Sequence, residues 1–80
     1  MKIFKISGST DTEDAVAEID LVFPERVDYV ALAGFTNDHH ITYQFRFQKL
    51  DSDNVWKAIL RRTNEQVRWI PKIEVLGFQE

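Results

Sequence analysis

Residues 41–50 read ITYQFRFQKL, and apolar and polar side chains alternate through them almost without fault. Ile41, Tyr43, Phe45 and Phe47 fall on one side; Thr42, Gln44, Arg46 and Gln48 fall on the other. A period of two marks a strand with one packed face and one face turned to water or a partner. This strand sets the middle of the expected fold and raises the question of what its second face meets.

Upstream, Thr36, Asn37, Asp38, His39 and His40 form a polar connection of hairpin length, and residues 27–35 (VDYVALAGF) read as the preceding strand. Downstream, Asp51, Ser52, Asp53 and Asn54 are capping residues. They predict a helix with Val55, Trp56, Ile59 and Leu60 on one face, an Asp53 to Lys57 pair at i,i+4, and an end between Asn64 and Val67. Residues 1–7 (MKIFKIS) read as a first strand, with Phe4 and Ile6 toward the core. After the turn Gly8-Ser9-Thr10, either Thr10 or Asp11 is placed to cap another helix. Its apolar stripe is Ala15, Val16, Ile19, Val22 and Phe23, and Pro24 stops it. Residues 73–78 (IEVLGF) form the last strand; Pro71 at its entrance suits an edge position.

The expected order is therefore βαββαβ. With right-handed crossovers this is an α+β, ferredoxin-like domain of residues 1–80: a four-stranded antiparallel sheet, first and third strands central, two helices on one face. If Asp28 and Glu74 point outward, the open face holds Ile3, Val30, Leu32, Leu76 and Phe78 among Lys5, Thr42, Gln44, Arg46 and Gln48. That is an apolar mosaic within a polar frame, the make-up of a contact surface. A bulge near Gly34 or Gly77 would reverse the local phase and remove part of it.

Eighty residues bury only about 60% of their unfolded surface, and without cysteine the chain depends on packing alone. Six Phe, two Trp and two Tyr supply the bulk. No targeting segment or apolar run of membrane-spanning length is read in the sequence, so a soluble cytoplasmic protein is expected. Net charge is −3, unevenly spread: residues 1–40 hold three basic and eight acidic residues, residues 41–80 seven and five. Most of the acids sit in the expected first helix and its exit, where Glu13, Asp14, Glu18, Asp20 and Glu25 form a surface that would repel nucleic acid and attract a basic protein.

Catalytic chemistry finds little support. His39 and His40 lack a third ligand at fixed spacing and read as turn residues, so no metal site is expected. Gly8 is crowded by Asp11, Glu13 and Asp14, which would repel a phosphate. Ser7, Ser9 and Ser52 have no base at a recognisable spacing. No enzyme and no cofactor are expected. Lys57, Arg61, Arg62 and Arg68, flanked by Trp56 and Trp69, carry the ingredients of nucleic-acid contact on the second helix. Against that reading, Tyr43, Phe45 and Phe47 are needed by the core and cannot also stack bases.

The strand, the loop Ile6-Ser7-Gly8-Ser9, a helix, a hairpin, a helix and Ile70-Pro71 before a short final strand make the chain similar to ACT-type regulatory domains. That resemblance covers topology and generic spacing; it implies side-by-side pairing into a homodimer and a small effector bound near the first loop. The leading expectation is different: a small, acidic, non-enzymatic module that inhibits or regulates a macromolecular partner by docking on it. It would do so through the acidic helix, as a mimic of nucleic acid in the manner of small phage inhibitors, or through the open sheet face.

Overall fold

The computed structural model describes residues 1–36, 43–63 and 68–80, and it corrects the expected class: the described chain is all-β. Six strands, β1 (Lys2–Ser9), β2 (Val16–Val22), β3 (Tyr29–Thr36), β4 (Tyr43–Lys49), β5 (Val55–Arg62) and β6 (Lys72–Gln79), form two antiparallel three-stranded sheets. Their orders are β1-β6-β3 and β2-β5-β4. Both expected helices are strands, so the ferredoxin-like order and the ACT resemblance built on it both fail. No helix among the described residues is long and apolar enough to cross a membrane.

The first of these, β2, alternates as a strand should. Ala17, Ile19 and Leu21 are buried and Glu18, Asp20 and Val22 are exposed. A helical stripe through Ala15, Val16, Ile19, Val22 and Phe23 leaves Leu21 out, yet Leu21 is wholly buried. The second, β5, buries Ala58, Leu60 and Arg62, and a buried arginine hides the alternation from the sequence. The residues that looked like helix caps make turns instead. Leu50 donates its N–H to Val55 O at 3.1 Å and Val55 to Ser52 O at 3.3 Å, closing the β4 to β5 hairpin. The Asn54 side chain donates to Phe23 O at 2.9 Å. Short polar side chains serve caps and turns by the same local hydrogen bonding, which is why the two readings competed.

The sheets pack face to face over a core of Ala17, Ile19, Leu21, Phe23, Val27, Ala58, Leu60, Trp69, Ile73 and Val75. Two glycines permit the approach. A Cβ on Gly8 of β1 would stand 2.6 Å from the Ile19 Cγ2, and one on Gly77 of β6 would stand 2.5 Å from the Phe23 ring. At one corner the chain passes from β1 to β2 through residues 10–15, tied down by reciprocal bonds. Thr12 N–H donates to Trp69 O at 3.1 Å, Trp69 N–H returns to Thr12 O at 2.9 Å, and the Trp69 indole donates to Asp14 O at 2.9 Å.

The central strands are β6 and β5, not the first and third strands of the expected order. Pro71 is no obstacle to a central β6, because it lies just before the strand and only its carbonyl is used, accepting from Thr10 N–H at 3.4 Å. The bulge anticipated near Gly34 is present: the register of β3 on β6 shifts between Leu32 and Gly34.

Candidate functional site

Pairing places four cross-strand rows on the outer side of β1-β6-β3: Ile3, Phe78 and Tyr29; then Lys5, Leu76 and Ala31; then Ser7, Glu74 and Gly34; then Ser9, Lys72 and Thr36. The alternate rows, such as Phe4, Gly77 and Val30, point into the sandwich. The outward side is where water is expected, yet Ile3 is 57% exposed there and Tyr29 43%. The Tyr29 and Phe78 rings stack at 5.1 Å with planes 19° apart. Met1 lies at the end of the row, 82% exposed, with its sulfur 4.0 Å from the Tyr29 hydroxyl.

Among the described residues, one ion pair stands on this outer side, and two others stand at the end of the sheet. Lys2 Nζ is 3.1 Å from Glu25 and Lys5 Nζ 3.2 Å from Glu74. Arg26 Nε is 3.3 Å from Asp28, whose other oxygen accepts the Glu80 backbone N–H at 2.8 Å. The Lys2 ammonium, by hydrogen bond and charge, holds the Glu25 carboxyl below its ordinary value. Lys5 and Glu74 thus border the apolar row on its own side, whereas Lys2 shares the phase of inward Phe4 and meets Glu25 at the strand end.

Of the open-face residues expected from sequence, Ile3, Leu76 and Phe78 lie on this surface. Val30 and Leu32 do not: both are half-buried and packed against the core. The error traces to Asp28, used to set the phase of β3, which precedes the strand and is held by Arg26 and Glu80. Gln44 and Arg46 belong to the other sheet. Missed altogether were Tyr29, Ala31 and Met1. Their signal in the sequence was the alternation Tyr29, Ala31, Ala33 against Val30, Leu32, which gives the right phase once Asp28 is set aside.

The acidic set disperses once the helix is gone. Only Glu18 and Asp20 share a face, on the outside of edge strand β2, with Glu18 3.6 Å from Lys57. Glu13 and Asp14 sit in the corner after β1, and Glu25 lies between β2 and β3 against Lys2. The basic cluster disperses too. Arg62 is buried at 6% exposure, its guanidinium carbon 5.9 Å from the Trp69 ring centroid. Arg68 clamps Asp11 with two bonds of 2.7 and 2.5 Å, which lowers the Asp11 pKa and raises its own. Lys57 faces Glu18, leaving Arg61 exposed in β5.

A solvent-open groove of about 590 Å³ lies at the opposite end of the same sheet, lined by Ser7, Ser9, Phe35, Thr36, Lys72 and Glu74 among others. No group of three or more metal-binding side chains occurs among the described residues. His39 and His40, with Asp38 and Thr42, lie outside the described residues. Comparison of the chain with protein-family models, curated proteins and solved structures finds no match to any of them.

Proposed function

We propose that this chain is a non-enzymatic protein-binding module, a regulator or inhibitor that docks through the outer face of β1-β6-β3. One observation carries the reading: the stacked Tyr29 and Phe78 rings beside Ile3, with Leu76 and Ala31 in the next row, stand on the side of the sheet that the core does not use. Aromatic and aliphatic side chains grouped beside charged ones supply binding energy when a partner excludes water from them. The partner's matching surface is apolar at its centre, with charges at its edge to meet Lys5 and Glu74. An 80-residue chain with this surface acts by occupying its partner rather than by transforming it. The acidic route to docking is the weaker one, since Glu18 and Asp20 are the only two of the five acids on a common face.

The test is site-specific photocrosslinking in cells. A benzophenone side chain in place of Ile3 should capture a discrete protein, one in place of Gln48 on the other sheet should not, and Leu76→Asp should abolish the capture. Equal capture from positions 3 and 48, or capture indifferent to Leu76→Asp, would overturn the assignment of the face.

A further inference from the structure

We propose that a second copy of this chain adds to the β3 edge, joining two β1-β6-β3 sheets into one six-stranded sheet. Among the described residues the sandwich has four edge strands, and edges invite further strands unless charge, proline or distortion guards them. Three are guarded by charge: β1 carries Lys2 and Lys5, β2 carries Glu18 and Asp20, and β4 carries Arg46 and Lys49. From Tyr29 to Thr36, β3 carries none. Its bulge falls at Ala33 and leaves Val30, Ala31 and Leu32 in regular register.

Symmetry selects the occupant. A two-fold axis normal to the sheet at Ala31 sets Ala31 opposite its own copy on the outer side and Val30 opposite Leu32 of the second copy on the inner side, with faces preserved. Every contact is small against small or apolar against apolar. The same operation on β4 sets Arg46 against Arg46, and on β2, centred at Ile19, it sets Glu18 against Asp20. Like charges directly opposite one another disfavour both.

The inner side of the seam is unfinished in a way that an added strand corrects. Val30 and Leu32 are only half-buried although they point toward the core. Beside Leu32, a narrow crevice between the sheets is lined by the carbon side chains of Phe45, Phe47, Ala58, Leu60 and Ile73. Phe45 stands at an inward position of β4, opposite buried Leu60, yet remains 47% exposed. A strand on β3 places its own Val30 and Leu32 at this seam. On the outer side, the rows of Ile3, Phe78 and Tyr29 from both copies then lie on one continuous sheet.

Charge exchange at the axis tests this directly, because only a residue beside a two-fold meets its own copy. By sedimentation velocity over a concentration series, the wild type should approach twice its 9.4 kDa chain mass. Ala31→Lys alone and Ala31→Glu alone should each stay at the chain mass, and an equimolar mixture of the two should recover the double mass. Ala31 is exposed, so both variants should keep the far-UV spectrum of the wild type; Ala31→Arg with Ala31→Asp provides a second pair if either does not. A wild type that stays monomeric throughout overturns the proposal. So do single variants as dimeric as the wild type, or a mixture no more dimeric than its components. The photocrosslink from position 3 reads the docking face whether or not the chain pairs.

Discussion

Adding one methyl group at Gly77 should unfold part of what holds this sandwich together. The new Cβ would lie 2.5 Å from Phe23 Cε1 and 2.9 Å from two further ring atoms, and Phe23 is itself 1% exposed with no room to retreat. Overpacking of this kind costs about 1–3 kcal/mol. Against it stands a gain of about 0.4–1 kcal/mol, because alanine restricts the unfolded chain more than glycine does. The net loss for Gly77→Ala is about 1–2 kcal/mol. Gly34 supplies the internal control. There a Cβ would meet the Glu74 side chain at 3.5 Å or more, an ordinary contact, so Gly34→Ala should gain about 0.5 kcal/mol from the same unfolded-state term.

The two alanine variants should therefore differ by about 2 kcal/mol, a large part of the roughly 4–12 kcal/mol expected for a domain of this length. Urea unfolding followed by tryptophan fluorescence resolves such a gap. A Phe23→Leu background should absorb most of the penalty at Gly77, giving a coupling of about 1 kcal/mol or more in a double-mutant cycle. Equal midpoints for Gly77→Ala and Gly34→Ala, or no coupling to Phe23, would refute the close approach of β6 to the segment after β2.

Three further perturbations probe other parts of the molecule. The Asp11 carboxyl is held below its ordinary value of 3.8 by Arg68, so its contribution to stability is present above that value and is lost as pH falls through the lowered one; Asp11→Asn should flatten the acid limb of a urea-midpoint titration. Arg62→Met keeps the packing of the aliphatic stem but removes the cation near Trp69, and should cost about 1 kcal/mol with a shift in indole emission, while Arg62→Ala should cost more. The Trp56 indole N–H is buried and meets no acceptor among the described residues, so Trp56→Phe should lie within about 1 kcal/mol of the wild type by thermal unfolding, where an ordinary core tryptophan would lose more.

Four strands were legible in the sequence and two were not, for a physical reason visible in particular residues. In β4 the outward positions are Gln44, Arg46 and Gln48, so polarity alone exposes the period of two. In β2 and β5 the outward positions include Val16, Val22, Val55 and Ile59, apolar residues that fill in a helical stripe as readily as they break an alternation. The decisive residues were Leu21, buried where a helix would expose it, and Arg62, buried where its charge argued for solvent. The candidate site was legible by half, since Ile3, Leu76 and Phe78 follow from alternation alone. Tyr29 required knowing that Asp28 ends a connection rather than begins a strand, and that depends on its bonds to Arg26 and Glu80.

The two outer faces of the sandwich are built from the same chain and answer the same solvent, which makes each a control for the other. On β2-β5-β4 the rows read Val16, Arg61 and Gln44; Glu18, Ile59 and Arg46; Asp20, Lys57 and Gln48. Each of these three rows carries at least one charge; a fourth, Val22 beside Val55 at the strand ends, is apolar but aliphatic, with no aromatic member. On β1-β6-β3 the first row is Ile3, Phe78 and Tyr29, without a charge, and the second contributes Leu76 and Ala31 beside Lys5. The contrast lies in extent and kind: only β1-β6-β3 follows its uncharged row with two more apolar residues and carries a stacked aromatic pair, for which solubility gives no reason. Exchanging the faces chemically makes the point testable: Ile3→Lys with Tyr29→Glu should leave the urea midpoint near the wild type, because neither side chain lies in the core, while abolishing capture of the same partner by a benzophenone probe placed at Ala31. If that double variant instead lost several kcal/mol, the row would belong to the architecture of the fold, and the docking reading would fall with it.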